Sequence, residues 1–162
     1  MNNNALPIKA AVVRFAVEKL RHILVSVEPS MQAHDVWSMA ASRRSYEWEI
    51  KQSISDLYRE KQKPKHRFGR MTDSSYGAHA TNYFYIVIPD VLAEKATVWI
   101  EREIPYAGIA RFKISEGSVP YSYVEIQKRA QLLHKNRVPP RDLARCARWM
   151  AVTLSDLMGR IC

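Results

Sequence analysis

Cysteine is scarce in this chain, with Cys146 and Cys162 the only two among 162 residues. Their positions, in an expected C-terminal helix and at the chain end, make neither a disulfide framework nor a zinc-binding spacing. The five histidines show no pair spaced like metal ligands on one helix, so a lone His79 or His134 reads as structural or exposed. Only five glycines occur, and none forms a glycine-rich phosphate loop or a dinucleotide fingerprint. No apolar run approaches the length that crosses a bilayer, and the opening stretch MNNNALPIKAAVVRF lacks the basic-then-apolar layout of a signal peptide. These absences argue against a secreted scaffold, a zinc protein, a nucleotide-cofactor enzyme and a membrane protein. They leave a soluble, cytoplasmic chain as the expectation.

What is present is enough to build a core. Hydrophobic residues make up 47% of the chain, and its length suits one domain, 1–162, without staples. The core is expected over about residues 7–114, with a C-terminal helical extension over about 127–160. The formal charge of +9 makes the surface attractive to polyanions, because neutralising phosphates releases condensed counterions. Charge points to nucleic acid as a partner but assigns no chemistry.

The hydrophobic pattern predicts a mixed α/β (α+β) fold. Pro7 suits a first helical turn, and Ile8, Val12, Phe15, Ala16 and Leu20 follow helical spacing through residue 22. Residues 23–27 read as a strand ended by a turn at Glu28-Pro29-Ser30, and residues 35–39 as a second strand. After a basic turn at 41–45, Tyr46-Glu47-Trp48-Glu49-Ile50-Lys51 alternates strictly, so Trp48 and Ile50 share a buried face while Glu47, Glu49 and Lys51 share the other. Ser53, followed three residues later by Asp56, predicts a capped helix through about Gln62, which Pro64 and Gly69 end. Residues 63–82 read as a long loop and 83–88 as the best strand. Further strands are expected at 107–114 and 124–126. Leu143, Ala147, Met150, Leu154 and Leu157 then mark an amphipathic terminal helix to about Met158.

If the strands around the 41–45 turn form a hairpin, Asp35 comes opposite Glu49 and Lys51. Two carboxylates and an ammonium then share one patch. Hard oxygen ligands of this kind hold Mg²⁺, and a neighbouring cation suits a phosphodiester substrate. By spacing alone, Glu47, Glu49 and Lys51 read first as the solvated face of a half-buried strand.

Asp35, Glu49-Ile50-Lys51 fourteen residues later, and the helix-strand-strand-strand-helix-strand order together resemble the PD-(D/E)XK nuclease superfamily. The segment Glu49-Ile50-Lys51-Gln52-Ser53-Ile54-Ser55-Asp56-Leu57 with Lys61, Lys63 and His66, and the runs 82–89 and 105–109, are similar to small phage and bacterial proteins related to MmcB-like DNA-repair nucleases. The resemblance covers about residues 33–112. It implies a restriction-endonuclease-like core with a central mixed sheet flanked by helices, and a metal-dependent deoxyribonuclease acting in phage biology or DNA repair. Asp35, Glu49 and the Ile50 backbone carbonyl would bind Mg²⁺, or Mn²⁺ in its place, with Lys51 as the catalytic lysine. Glu18, Glu47, Ser53 and Asp56 are auxiliary candidates, although Ser53 and Asp56 read first as helix caps, Glu18 as a surface ion-pair partner of Arg14 or Arg21, and Glu47 as a solvated carboxylate. His34, where many relatives have proline, departs from the motif. A phage-encoded chain would act in the host cytoplasm, as a homodimer or within a larger complex. The competing reading is a non-catalytic DNA- or partner-binding protein, an accessory or anti-defence factor, on the same fold.

Lys61, Lys63, Lys65, His66, Arg67 and Arg70, interleaved with Phe68 and Tyr76, suit a DNA-guiding loop or an ordinary solvated one. Arg137, Arg141, Arg145 and Arg148 form a second basic set along the terminal helix, whose default reading is a solvated face.

Overall fold

The computed structural model describes residues 5–27, 35–67, 81–116 and 120–159. The turn expected at 28–30, together with His34, Phe68, Gly69, Arg70, Tyr76, His79 and Cys162, lies outside the described residues, as do the side chains of Arg67, Arg145, Leu154 and Leu157.

Pro7 sits in the first turn of α1 (Leu6–Arg14), which widens into a π-helical turn over Phe15–Lys19. Strands β1 (Leu24–Val27), β2 (Val36–Met39) and β3 (Ser45–Ile50) follow. Next come α2 (Ile54–Glu60), a short α3 (Pro64–Arg67) and β4 (Tyr83–Pro89). A 3₁₀ turn at Asp90–Leu92 leads into α4 (Ala93–Glu103), and β5 (Gly108–Ser115), β6 (Tyr121–Lys128) and α5 (Pro140–Gly159) complete the described chain. The expected order of helix, three strands, helix and strand is therefore present. Two expectations are corrected. Residues 64–67 within the predicted loop are helical, and α4 went unpredicted although Ala93, Ala96 and Ile100 recur at helical spacing and are buried.

The strands form one six-stranded mixed sheet in the order β1-β2-β3-β4-β5-β6. β1, β2 and β3 pair antiparallel, β3, β4 and β5 pair parallel, and β6 returns antiparallel on β5. Alternation gives the sheet two apolar faces. On one, Trp48, Ile50, Tyr85, Val87, Ala110 and Val124 pack beneath Ile8, Ala11 and Val12 of α1. On the other, Phe84, Ile86, Ile88 and Ile109 meet Leu57 of α2 and Ala96 and Ile100 of α4. Trp37 and Met39 lie on that second face toward its β1 end, where Val138 and the buried Cys146 cover them. Among the described residues no helix is long and apolar enough to cross a membrane.

Candidate functional site

The alternation of β3 decides the site. Trp48 and Ile50 enter the α1-side core, so Glu47 and Glu49 must face the side of Phe84 and Ile86, their register neighbours on β4. That face is roofed by α2 and α3, and Glu47, Glu49 and Lys51 are all buried. They are not a solvated strand face. Burying such charges unpaired would cost several kcal/mol each, about what a domain can lose altogether, so ion pairing is obligatory.

The pairing is dense. The Lys51 Nζ lies 3.1 Å from Glu49 Oε1, 2.7 Å from Glu60 Oε2 and 3.7 Å from Asp56 Oδ1. Lys63 contacts Glu49 Oε1 and stands 2.8 Å from Glu60 Oε2. The Lys65 ammonium pairs with Glu47 and lies 3.2 Å from Glu49 Oε2, 3.0 Å from Glu60 Oε1 and 4.9 Å from the Phe84 ring centroid. His66 bonds Glu60 through Nε2 at 2.8 Å and the Tyr106 hydroxyl through Nδ1. Glu60 is thus the hub, and it is fully buried. Sequence reasoning missed it. The available signal was its position four residues after Asp56, which puts both acids on the α2 face that meets β3.

Electrostatics follow from this geometry. Burial alone would lower the Lys51 pKa, but Glu49 and Glu60 outweigh it and hold the ammonium above the ordinary lysine range. Lys65 shifts the same way, burial being outweighed by Glu47, Glu49 and Glu60. Burial would raise Glu60, yet the His66 hydrogen bond and the charges of Lys65, Lys51 and Lys63 carry it well below the usual carboxylate range. The Tyr106 hydroxyl is pushed up to about 12 by burial, with Lys65 opposing and Glu60 and Glu47 reinforcing the rise.

Asp35 stands apart from this knot. The β2–β3 register, continued by one residue, sets it opposite Glu49. Its Oδ2 accepts the Ile50 N–H at 2.7 Å, and Oδ1 lies 3.5 Å from Lys9 Nζ on α1. The Lys51 N–H donates to the Val87 carbonyl at 2.9 Å, and in a parallel ladder this turns the N–H and C=O of Ile50 toward β2. The Ile50 carbonyl and Asp35 therefore share the β2 side of the strand end.

The remaining candidates separate. Ser53 caps α2, accepting the Asp56 N–H at 3.1 Å, while the Asp56 carboxylate turns toward Lys51. Lys61 pairs with Glu103. Glu18 is exposed on the π-helical turn, and among the described residues it makes no ion pair, while Arg14 donates to the Ser122 carbonyl. Lys63, Lys65 and His66, read as a DNA-guiding loop, lie on the glutamates.

Among the described residues no three His, Cys, Asp or Glu side chains are grouped to hold a metal ion. Oxygen donors alone would suit a hard divalent cation, but those of Glu49 already meet Lys51, Lys63 and Lys65, and those of Asp35 meet the Ile50 N–H and Lys9 of α1. Asp35, Glu49 and the Ile50 carbonyl offer oxygen only, and the buried Glu60 Oε2 has ion-pair contacts but no properly directed hydrogen bond.

No protein-family model and no curated protein matches the chain. One solved structure is similar, the "SPO1766 protein of unknown function" from Silicibacter pomeroyi, at 11% identity and a TM-score of 0.57, covering 96% of this chain and 88% of that one. At that identity the two share a fold. The described chain is a mixed α/β domain with a central sheet between helices and an additional C-terminal helix.

Proposed function

We propose that this chain is a deoxyribonuclease that hydrolyses DNA phosphodiester bonds at the C-terminal end of β3, on a restriction-endonuclease-like core of the PD-(D/E)XK type. The observation that carries the reading is the buried convergence of Glu49 and Lys51 with Glu60, with Asp35 opposite Glu49 in the continued β2–β3 register. A fold seeking only stability gains little from such a knot, since apolar residues of equal volume commonly serve as well or better. Buried, mutually perturbing ionisable groups are instead typical of reaction centres.

Asp35, Glu49 and the Ile50 carbonyl would hold Mg²⁺ or Mn²⁺, a Lewis acid toward a scissile phosphate. The Lys51 ammonium, held between Glu49 and Glu60, would neutralise charge developing on the phosphate or orient the attacking water. Glu60 fixes that ammonium from α2, and Asp35, held by the Ile50 N–H and Lys9, keeps the β2 side of the strand end in register.

One observation favours the second reading, a DNA- or partner-binding protein that no longer cuts. Lys63 and Lys65 already occupy the glutamates. The test is incubation with linear, circular and single-stranded DNA, with Mg²⁺, Mn²⁺ or chelator, using wild type, Lys51→Ala and Asp35→Ala. Divalent-dependent cleavage by wild type alone supports the nuclease. Cleavage indifferent to metal and to both substitutions refutes the site, and binding without cleavage under every divalent condition supports the second reading.

A further inference from the structure

Residues 129–139, between β6 and α5, run across the N-terminal ends of the parallel strands. The Gln131 N–H donates to the Tyr106 carbonyl ahead of β5, the Leu133 N–H to Asn82 ahead of β4, and the Val138 N–H to Arg43 in the β2–β3 turn, at 3.0, 3.0 and 2.9 Å. Asn82 is buried and ties the crossing down. Its Nδ2 donates to the carbonyls of His134 at 2.9 Å and Asn136 at 2.7 Å, while its Oδ1 accepts the Ser45 N–H at 2.8 Å. The segment is therefore a strip of backbone anchored at three points. It spans two to three strand spacings, on the order of 10–15 Å, against a rise of ~3.4 Å per base step along a nucleic-acid strand.

The strip is densely cationic. Arg129, Lys135, Arg137 and Arg141 are exposed, and among the described residues none has a carboxylate at ion-pair distance. Arg43 lies beneath it, with Nη1 3.5 Å from the Val138 carbonyl, and Arg44 donates to the Tyr83 hydroxyl at 2.9 Å. Between residues 129 and 148 the sequence has Asp142 as its single acid. The cations of residues 61–66 are by contrast consumed internally by Glu47, Glu49, Glu60 and Glu103.

We propose that the strip formed by residues 129–141 docks the sugar–phosphate backbone of a nucleic acid. Unpaired cations on an anchored backbone gain counterion-release free energy without first breaking internal ion pairs, which the lysines around Glu49 cannot do. The proposal stands on charge placement and does not require that the Glu49 cluster cut.

The test is fluorescence anisotropy of a labelled mixed-sequence duplex titrated at several salt concentrations with wild type, Arg137→Glu, the double variant Lys135→Glu/Arg137→Glu, and Lys95→Glu. The last makes the same charge change at an exposed position on α4. Melting curves verify folding, and vesicles of phosphatidylglycerol provide a parallel arm. The strip variants should bind about tenfold or more weakly, with the salt slope of the double variant falling by roughly two, while Lys95→Glu stays near wild type. Equal losses in all three variants would overturn the proposal, as would unchanged DNA binding in the double variant or loss of vesicle binding alone. Strip-dependent binding without cleavage would leave this surface standing and refute the nuclease reading.

Discussion

The Asp35 carboxylate accepts the Ile50 backbone N–H at 2.7 Å, tying the residue that precedes β2 to the last residue of β3. A charge-assisted bond of this kind contributes roughly 1.5–3 kcal/mol. Asp35→Ala should therefore lower unfolding free energy by that order in urea titrations, whereas Asp35→Asn, which keeps an acceptor oxygen, should lose less. Both should lose cleavage. Equal stability of wild type and the alanine variant would show that the bond has no structural weight.

Lys51 is buried against Glu49 and Glu60. Its removal leaves two buried carboxylates sharing the remaining ammonium groups of Lys63 and Lys65, and Lys51→Ala should destabilise the fold by on the order of 3 kcal/mol. Urea denaturation at neutral pH checks the value. A change within a few tenths of a kcal/mol would mean that the cluster is open to water.

His22 carries the clearest pH dependence. Its Nδ1 lies 2.9 Å from Ser38 Oγ, which accepts the Trp48 Nε1–H at 2.8 Å. The serine proton is then free to go to Nδ1, which fixes a neutral imidazole, and burial lowers the pKa from 6.5 to about 4. The unfolded chain binds the proton first as pH falls, so this contribution is complete above about pH 6.5 and disappears progressively toward pH 4, at roughly 2–3 kcal/mol in total. Thermal unfolding followed from pH 7 to 4 should show that decline in wild type and a shallower one in His22→Gln. Parallel curves would contradict the assignment. Glu60, whose folded pKa is depressed, acts lower still, its contribution holding above the ordinary glutamate pKa and fading only in stronger acid.

Gly108 opens β5 against the Tyr85 ring, which stacks on Trp48 with centroids 4.7 Å apart. A Cβ at this position would collide with that ring and with the Ala130 backbone nitrogen. Gly108→Ala should cost about 1–3 kcal/mol by overpacking, read as a lowered melting temperature. An unchanged melting temperature would mean that the ring moves aside freely.

Much of the fold was legible because one period dominated each segment. The alternation of residues 46–51 assigned Trp48 and Ile50 to one face and Glu47, Glu49 and Lys51 to the other, and the sheet has that arrangement. Helix α4 was hidden by its composition, since Glu94, Lys95, Glu101 and Arg102 dilute a stripe made largely of alanine. Glu60 was missed for a different reason. A glutamate on a short helix reads as solvated, and only the closing of α2 over β3 buries it. That burial also recruits Lys63 and Lys65, so cations that a linear reading assigns to DNA become counter-ions to glutamates.

The most direct test of the account is the cleavage rate of a labelled linear duplex under Mg²⁺ and under Mn²⁺ for wild type and Glu49→Gln. The substitution keeps the side-chain volume and removes one carboxylate from beside Lys51. The account predicts divalent-dependent cleavage by wild type and a fall of at least about a hundredfold in the variant, roughly 2.7 kcal/mol of lost transition-state stabilisation. Wild type and Glu49→Gln cutting at the same rate, or a folded wild type that binds the duplex and leaves it intact in both metals, would contradict it.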